Sequence, residues 1–132
     1  MAFTPFIRAA LFSVALFASS LPTAAQTNTT NTIIERVGPT LSHPWGMDFL
    51  DHDTVLVTER GGRLLRIDLA DGKATQITGV PPVYARRQGG LLDVATIDGH
   101  VYLCYAALLD GGSATAIDRA VLDGSRLVQR QT

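Results

Sequence analysis

The sequence contains a single cysteine, Cys104, so no internal disulfide can form. Charge is sparse and balanced, with 11 basic against 12 acidic residues and a net charge of −1. Without a basic excess the chain cannot neutralise many phosphates, which argues against nucleic acid as a partner. No apolar run of about 18 residues or more follows residue 25, so no membrane-spanning helix is expected after it. HExxH, CxxC, calcium-loop and P-loop patterns are all missing, and no GxGxxG opens a helix after a strand. Helical periodicity of useful length is missing after residue 25, which excludes a helical domain. No glycine precedes Gly38; all 12 lie after residue 37 and point to a chain with many turns.

The first 25 residues differ from the rest. They hold 17 apolar residues, one charge (Arg8) and four of the five Phe. Arg8 precedes the apolar run Ala9 to Ala18, and Pro22 breaks it before Thr23-Ala24-Ala25. A basic residue, a short apolar run and small residues at the end describe a secretory signal cleaved before Gln26. The alternative is an uncleaved membrane anchor. Gln26, and not a cysteine, stands directly after the cleavage site, so a lipoprotein is disfavoured. Export to the periplasm or medium of a bacterium is expected, with no membrane attachment after cleavage. Residues 26–32, QTNTTNT, read as a disordered polar spacer.

From Ile33 onward the pattern is β. Thr54 to Glu59 is rich in β-branched residues, and Gly61-Gly62 separates it from Arg63 to Leu69. Asp71-Gly72 then precedes Lys73 to Thr78, and Trp45 to Leu50 supplies a strand in front. Gly-Gly and Asp-Gly between such runs are hairpin signals, because they tolerate positive φ at low cost. The scheme repeats: Gly90 to Thr96, His100 to Ala106, Ala114 to Leu122 and Arg126 to Gln129 are strands. Asp98-Gly99, Asp110-Gly-Gly112 and Asp123-Gly124 turn between them. Four strands recurring every 40–50 residues or so is the mark of a propeller blade. An eight-stranded sandwich has the same local pattern. The expected fold is therefore all-β, a β-propeller fragment of about two four-stranded antiparallel blades, residues 41–80 and 89–131, within 33–132.

Candidate chemistry is thin. Ala85-Arg-Arg-Gln-Gly-Gly-Leu-Leu-Asp93 follows Pro81-Pro82-Val83, which cannot sit in a central strand. It reads as a connection between blades that leads into an innermost strand at the channel mouth. Gln88 offers a donor and an acceptor there. Gly89 and Gly90 allow a ligand close to the backbone, and Arg86 and Arg87 suit carboxylates. Read blandly, the same residues are a solvated glycine loop. Trp45, after His43-Pro44, reads as packed between the sheets. Glu59 and Arg60 read as a surface pair, Cys104 as a buried small hydrophobe, and His52 and His100 as solvated.

Five segments in order carry a resemblance: His43-Pro-Trp-Gly-Met47, Leu56-Val-Thr-Glu-Arg-Gly-Gly-Arg63, Gly79-Val-Pro-Pro-Val83, Gln88-Gly-Gly-Leu-Leu-Asp-Val94 and Val101-Tyr-Leu-Cys-Tyr105. The chain resembles the N-terminal part of the soluble pyrroloquinoline-quinone (PQQ) dependent sugar dehydrogenases, the glucose/sorbosone dehydrogenase family, in its aldose sugar dehydrogenase branch. The resemblance implies a six-bladed propeller and oxidation of the C1 hydroxyl of aldoses to the lactone. It further implies hydride transfer to PQQ, a histidine as general base, and calcium to bind and polarise the cofactor. It places Gln88, with Gly89 and Gly90, in the substrate and cofactor pocket. Arg87 stands where the family usually has glycine, and Thr96-Ile-Asp-Gly99 replaces a longer turn. The family's catalytic histidine and calcium ligands belong to later blades, and neither His43 nor His100 matches the catalytic position. No catalytic or metal-binding residue is therefore assigned. The expectation is an exported N-terminal part that is inactive alone. The alternative is a non-catalytic two-blade binding module, with the missing blades coming from another chain or from self-association.

Overall fold

Eight strands follow one another as two meanders. The computed structural model describes residues 32–132; the expected signal segment 1–25 and residues 26–31 of the spacer lie outside them. The strands are β1 (Pro44–Phe49), β2 (Thr54–Glu59), β3 (Arg63–Asp68), β4 (Ala74–Ile77), β5 (Leu91–Ile97), β6 (His100–Leu109), β7 (Gly112–Asp123) and β8 (Arg126–Gln131). They form two antiparallel sheets in spatial order β1-β2-β3-β4 and β5-β6-β7-β8. No helix occurs among the described residues, and so none that could cross a membrane.

The turns fall where the sequence expects them, with one difference. The β6–β7 hairpin pairs continuously from Val101↔Ala120 to Leu109↔Gly112, which leaves only Asp110 and Gly111 to turn. A two-residue turn suffices for a hairpin, so both strands run past the expected ends at Ala106 and Ala114. The extension holds Leu108 and Leu109 out in solvent, 67% and 58% exposed.

Alternation along each strand decides what faces what. Leu56, Leu64 and Ile77 of the first sheet meet Leu91, Val94, Val101, Leu103, Tyr105, Ala120 and Leu127 of the second in one core. Each fully buried leucine contributes about 1.5–3 kcal/mol. Polar contacts join the inner strands. The Thr58 hydroxyl donates to the Leu92 carbonyl at 2.9 Å and accepts from Gly46 N–H at 2.9 Å. The Asp48 carboxylate accepts from the backbone N–H and the hydroxyl of Thr96, at 2.6 and 2.8 Å. Gly46 permits this approach, since a Cβ there would collide with Asp93. Further out, β4 and β8 are bridged in parallel at Thr78 and Arg126, with Leu127 N–H donating to the Thr78 carbonyl at 2.8 Å.

The faces turned away from this core are unlike each other. On the first sheet Val55, Val57, Leu65 and Ile67 form a second cluster, with Leu41, Leu69 and Ala74 against it. Trp45, Met47 and Phe49 extend the same face and remain half exposed. Trp45 is thus not packed between the sheets as expected: Gly46 and Asp48 take the positions of β1 that face the second sheet, and alternation turns Trp45 outward. On the second sheet Ala95, Tyr102, Cys104 and Ile117 face outward around a shallow hollow of about 160 Å³, and Ile117 is 60% exposed. Cys104 is accordingly half-buried rather than buried, because it points to the uncovered side.

Candidate functional site

The segment from Gly79 to Gly90 links the outer strand of one sheet to the inner strand of the next. Pro81 and Pro82 lack N–H groups, so pairing ends there. Residues 84–90 then form an arch tied at both ends to one residue of β6. Tyr84 N–H donates to the Ala106 carbonyl, and Ala106 N–H donates to the Gly90 carbonyl, each at 2.8 Å. Inside the arch, Gly89 N–H donates to the Arg86 carbonyl at 2.8 Å. Gln88 stands exposed at the tip, Gly89 is half-buried and Gly90 is buried. The structure therefore keeps these three residues together at the mouth of β5.

Gly90 cannot carry a side chain. Its φ is +148°, and a Cβ would collide with the Arg60 carbonyl. That carbonyl accepts from Leu91 N–H at 3.0 Å, and Arg60 N–H donates to the His43 carbonyl at 3.0 Å. The Arg60 side chain reaches the arch as well, donating from Nε to the Gly89 carbonyl at 3.1 Å and from Nη2 to the Arg87 carbonyl. Two non-glycine residues here, His43 and Arg87, sit at φ +52° and +54°. Left-handed backbone costs a residue with a side chain about 1–2 kcal/mol.

The expected surface pair of Glu59 and Arg60 does not form. Glu59 is 1% exposed, and its carboxylate accepts from Ser42 N–H at 2.6 Å and pairs with Arg63. The register explains this: Glu59 and Arg63 flank the three-residue turn and lie directly opposite each other. Arg86 and Arg87 are exposed and have no salt bridge among the described residues. The mouth thus carries a cationic rim.

A polar cluster that sequence reading missed lies beneath the arch. Tyr105 OH donates to Asp118 at 3.0 Å, and Arg130 Nε lies 2.8 Å from the other carboxylate oxygen. That contact is Coulombic, as its angle makes no hydrogen bond. Burial, with Asp118 adding to it, pushes the Tyr105 phenol above its ordinary pKa. Arg130 and Tyr105 line a cleft of about 360 Å³ with Pro81 to Tyr84. Only the alternation placing Asp118 on the inward face of β7 could have signalled this cluster.

The other histidines are elsewhere. His52 is almost fully exposed beside Asp53, and His100 lines a cleft of about 560 Å³ at the opposite end of the sheets. The carboxylates of Glu59 and Asp118 are both buried, beside Arg63 and Arg130. Among the described residues no group of three His, Cys, Asp or Glu could hold a metal ion.

Residues 41–132 match the glucose/sorbosone dehydrogenase family. The chain belongs to that family. It is 35% identical over 113 residues to the aldose sugar dehydrogenase YliI of Escherichia coli K12, covering 81% of this chain and 30% of that protein. The crystal structure of the soluble E. coli aldose sugar dehydrogenase in its apo form superimposes with a TM-score of 0.67 at 32% identity, over 74% of this chain and 31% of that one. The PQQ-bound aldose sugar dehydrogenase of Streptomyces coelicolor does so with a TM-score of 0.67 at 27% identity, over 76% and 32%. The two meanders of this glucose/sorbosone dehydrogenase chain are thus blades of the propeller built by PQQ-dependent dehydrogenases. The chain spans about a quarter to a third of the length of the relatives it matches.

The Streptomyces coelicolor relative holds PQQ. PQQ is a flat polycarboxylate, and the cationic rim with the exposed Gln88 amide suits its carboxylates and carbonyls. The two glycines serve packing instead: a Cβ on Gly89 would meet the Tyr84 carbonyl, and one on Gly90 the Arg60 carbonyl. Calcium finds no cluster of carboxylates among the described residues.

Proposed function

We propose that these two blades are the N-terminal part of an exported PQQ-dependent aldose dehydrogenase, residing in the periplasm or medium, that oxidises the C1 hydroxyl of aldoses to the lactone. In that reading Gln88 hydrogen-bonds cofactor or sugar, while Gly89 and Gly90 let the arch close tightly on Tyr84 and Arg60 and so hold Gln88 at the start of β5. Arg86 and Arg87 draw the carboxylates of PQQ to the mouth. PQQ, when bound, would supply the acceptor for the hydride from C1. The exposed His43 at this end does not match the family's catalytic position, and the base that takes the C1 hydroxyl proton belongs in this reading to later blades. The chain is therefore inactive by itself. The observation that carries this reading is the pinned arch that presents Gln88, between two exposed arginines and the tightly packed Gly89-Gly90, at the start of an innermost strand.

Complementation tests it. The chain is co-expressed with the E. coli aldose sugar dehydrogenase lacking its own matching segment, and aldose-dependent dye reduction is followed with PQQ and calcium. Turnover by the pair, none by the chain alone and a loss with Gln88→Ala is the expected result. Failure of the pair, where the E. coli segment itself succeeds, would sink the reading. Turnover by the chain alone would sink its inactivity.

The exposed outward faces favour a second reading, a non-catalytic module whose copies cover one another's blade faces. Light scattering separates the two: a discrete trimer of the chain supports the module, and a monomer does not.

A further inference from the structure

We propose that Arg60 is a positioning residue of this mouth, holding the Gln88 arch in register with the inner strands of both blades. Three elements converge on it. Its N–H binds the carbonyl of His43, just before β1, and its carbonyl receives the N–H of Leu91, the first residue of β5. Its guanidinium donates to the carbonyls of Arg87 and Gly89, the residues on either side of Gln88. The two non-glycine residues in left-handed backbone at this end, His43 and Arg87, are thus both held through their carbonyls by Arg60.

The chemistry requires arginine. A guanidinium is a planar fork that reaches two acceptors at once, whereas an ammonium is a point donor. Both carbonyls belong to an arch whose outward side is exposed, so water competes with them as soon as the fork is lost. The other anchor of the arch, Ala106, fixes its ends, and the bond from Gly89 N–H to the Arg86 carbonyl closes its tip; Arg60 is what ties that tip to the first sheet. Gly90 then has a further reason to be glycine: any side chain there would displace the Arg60 backbone. Arg60 touches neither cofactor nor sugar in this account; it acts through Gln88. The functional part of the inference rests on the PQQ reading above.

The test uses the full chain as wild type, Arg60→Ala, Arg60→Lys and Gln88→Ala. Amide hydrogen exchange and tryptic nicking after Arg86 and Arg87 report the arch; equilibrium dialysis with PQQ reports binding. For Arg60→Ala, exchange at Gly89 and nicking rise about tenfold or more, as two charge-assisted hydrogen bonds are lost. Leu56 and Leu65 stay protected, Arg60→Lys falls between, and added methylguanidinium restores part of the protection. Gln88→Ala leaves the arch as protected as in wild type but weakens PQQ binding, and Arg60→Ala weakens it as well. If Arg60→Ala leaves exchange and nicking unchanged, or weakens every amide alike, the inference is overturned. It is also overturned if PQQ binding depends on Gln88 and not on Arg60. If wild type itself binds no PQQ, the cofactor reading of the isolated chain fails, and the exchange and nicking results alone decide whether Arg60 positions the arch.

Discussion

The two sheets share one connectivity and one strand count, yet their outward faces have different fates. On the first sheet, Leu41 and Gly38 of the preceding chain lie against Val55, Val57, Leu65 and Ile67 and bury them. On the second, Ala95, Tyr102, Cys104 and Ile117 have no such cover. A blade is half of two interfaces, so its sequence can be read locally but its stability cannot. The shared core is the one interface complete within the described residues. It is where substitution hurts most.

The largest effect is expected there. Leu103→Ala, at a fully buried position facing Leu56 and Leu64, should cost about 2–5 kcal/mol, measured by urea denaturation. Ile117→Ala, on the bare face, should change stability by less than about 0.5 kcal/mol in the isolated chain. Equal costs at the two sites would break the comparison, because they would mean that the second outward face is covered in solution.

Next comes the polar join between the inner strands. Thr58→Val keeps the shape of the side chain but removes the hydroxyl that serves Gly46 and Leu92. It should cost about 1–3 kcal/mol, the desolvation cost of buried groups left unpaired. A neutral outcome in the same denaturation assay would show that water replaces the hydroxyl and that the strands are not held by it.

Much of this was legible in the sequence. The order of β-runs and Asp-Gly turns marked both meanders, since strand and turn chemistry are local. The placement of Gln88, Gly89 and Gly90 followed from Pro81-Pro82, which stops a strand, and from the Leu91-Leu92 run, which starts one. What was not legible depended on which face of a strand is covered. Trp45 and Cys104 looked like core by composition, but alternation turned both to outward faces. Glu59 and Arg60 are adjacent in sequence, yet one is buried against Arg63 and the other spans to the arch. Glu59 closes β2 opposite Arg63 while Arg60 already belongs to the turn, so adjacency misled where register would have served.

A smaller effect is expected from pH. Hydrogen bonds from the Thr96 hydroxyl and N–H hold the Asp48 carboxyl below its ordinary value, against a smaller opposing effect of burial. A carboxylate whose pKa is lowered on folding adds stability above its unfolded pKa of about 3.9. That stability is lost as pH falls through the folded value. The inner strands β1 and β5 should therefore loosen in acid. Asp48→Asn should lose less stability than wild type between pH 6 and pH 3, measured by urea midpoint. Identical acid sensitivity would place the titrating group elsewhere.

The mildest expectation concerns the bare face directly. Burial, with the Asp93 carboxylate adding to it, pushes the Cys104 thiol above its ordinary pKa. Since the thiolate is the reactive species, a charged disulfide reagent should modify Cys104 slowly at pH 7 and faster as pH rises above 9. The half-buried position still admits the reagent in the isolated chain. If a further blade or a second copy covers this face, modification should stop in the assembled form while Ile117 becomes costly to truncate. The two readouts move together only if cover, and not local rigidity, separates the two faces. Protection of Cys104 with Ile117→Ala still neutral would mean that the thiol is shielded by its own sheet and that the contrast between the blades was drawn at the wrong residue.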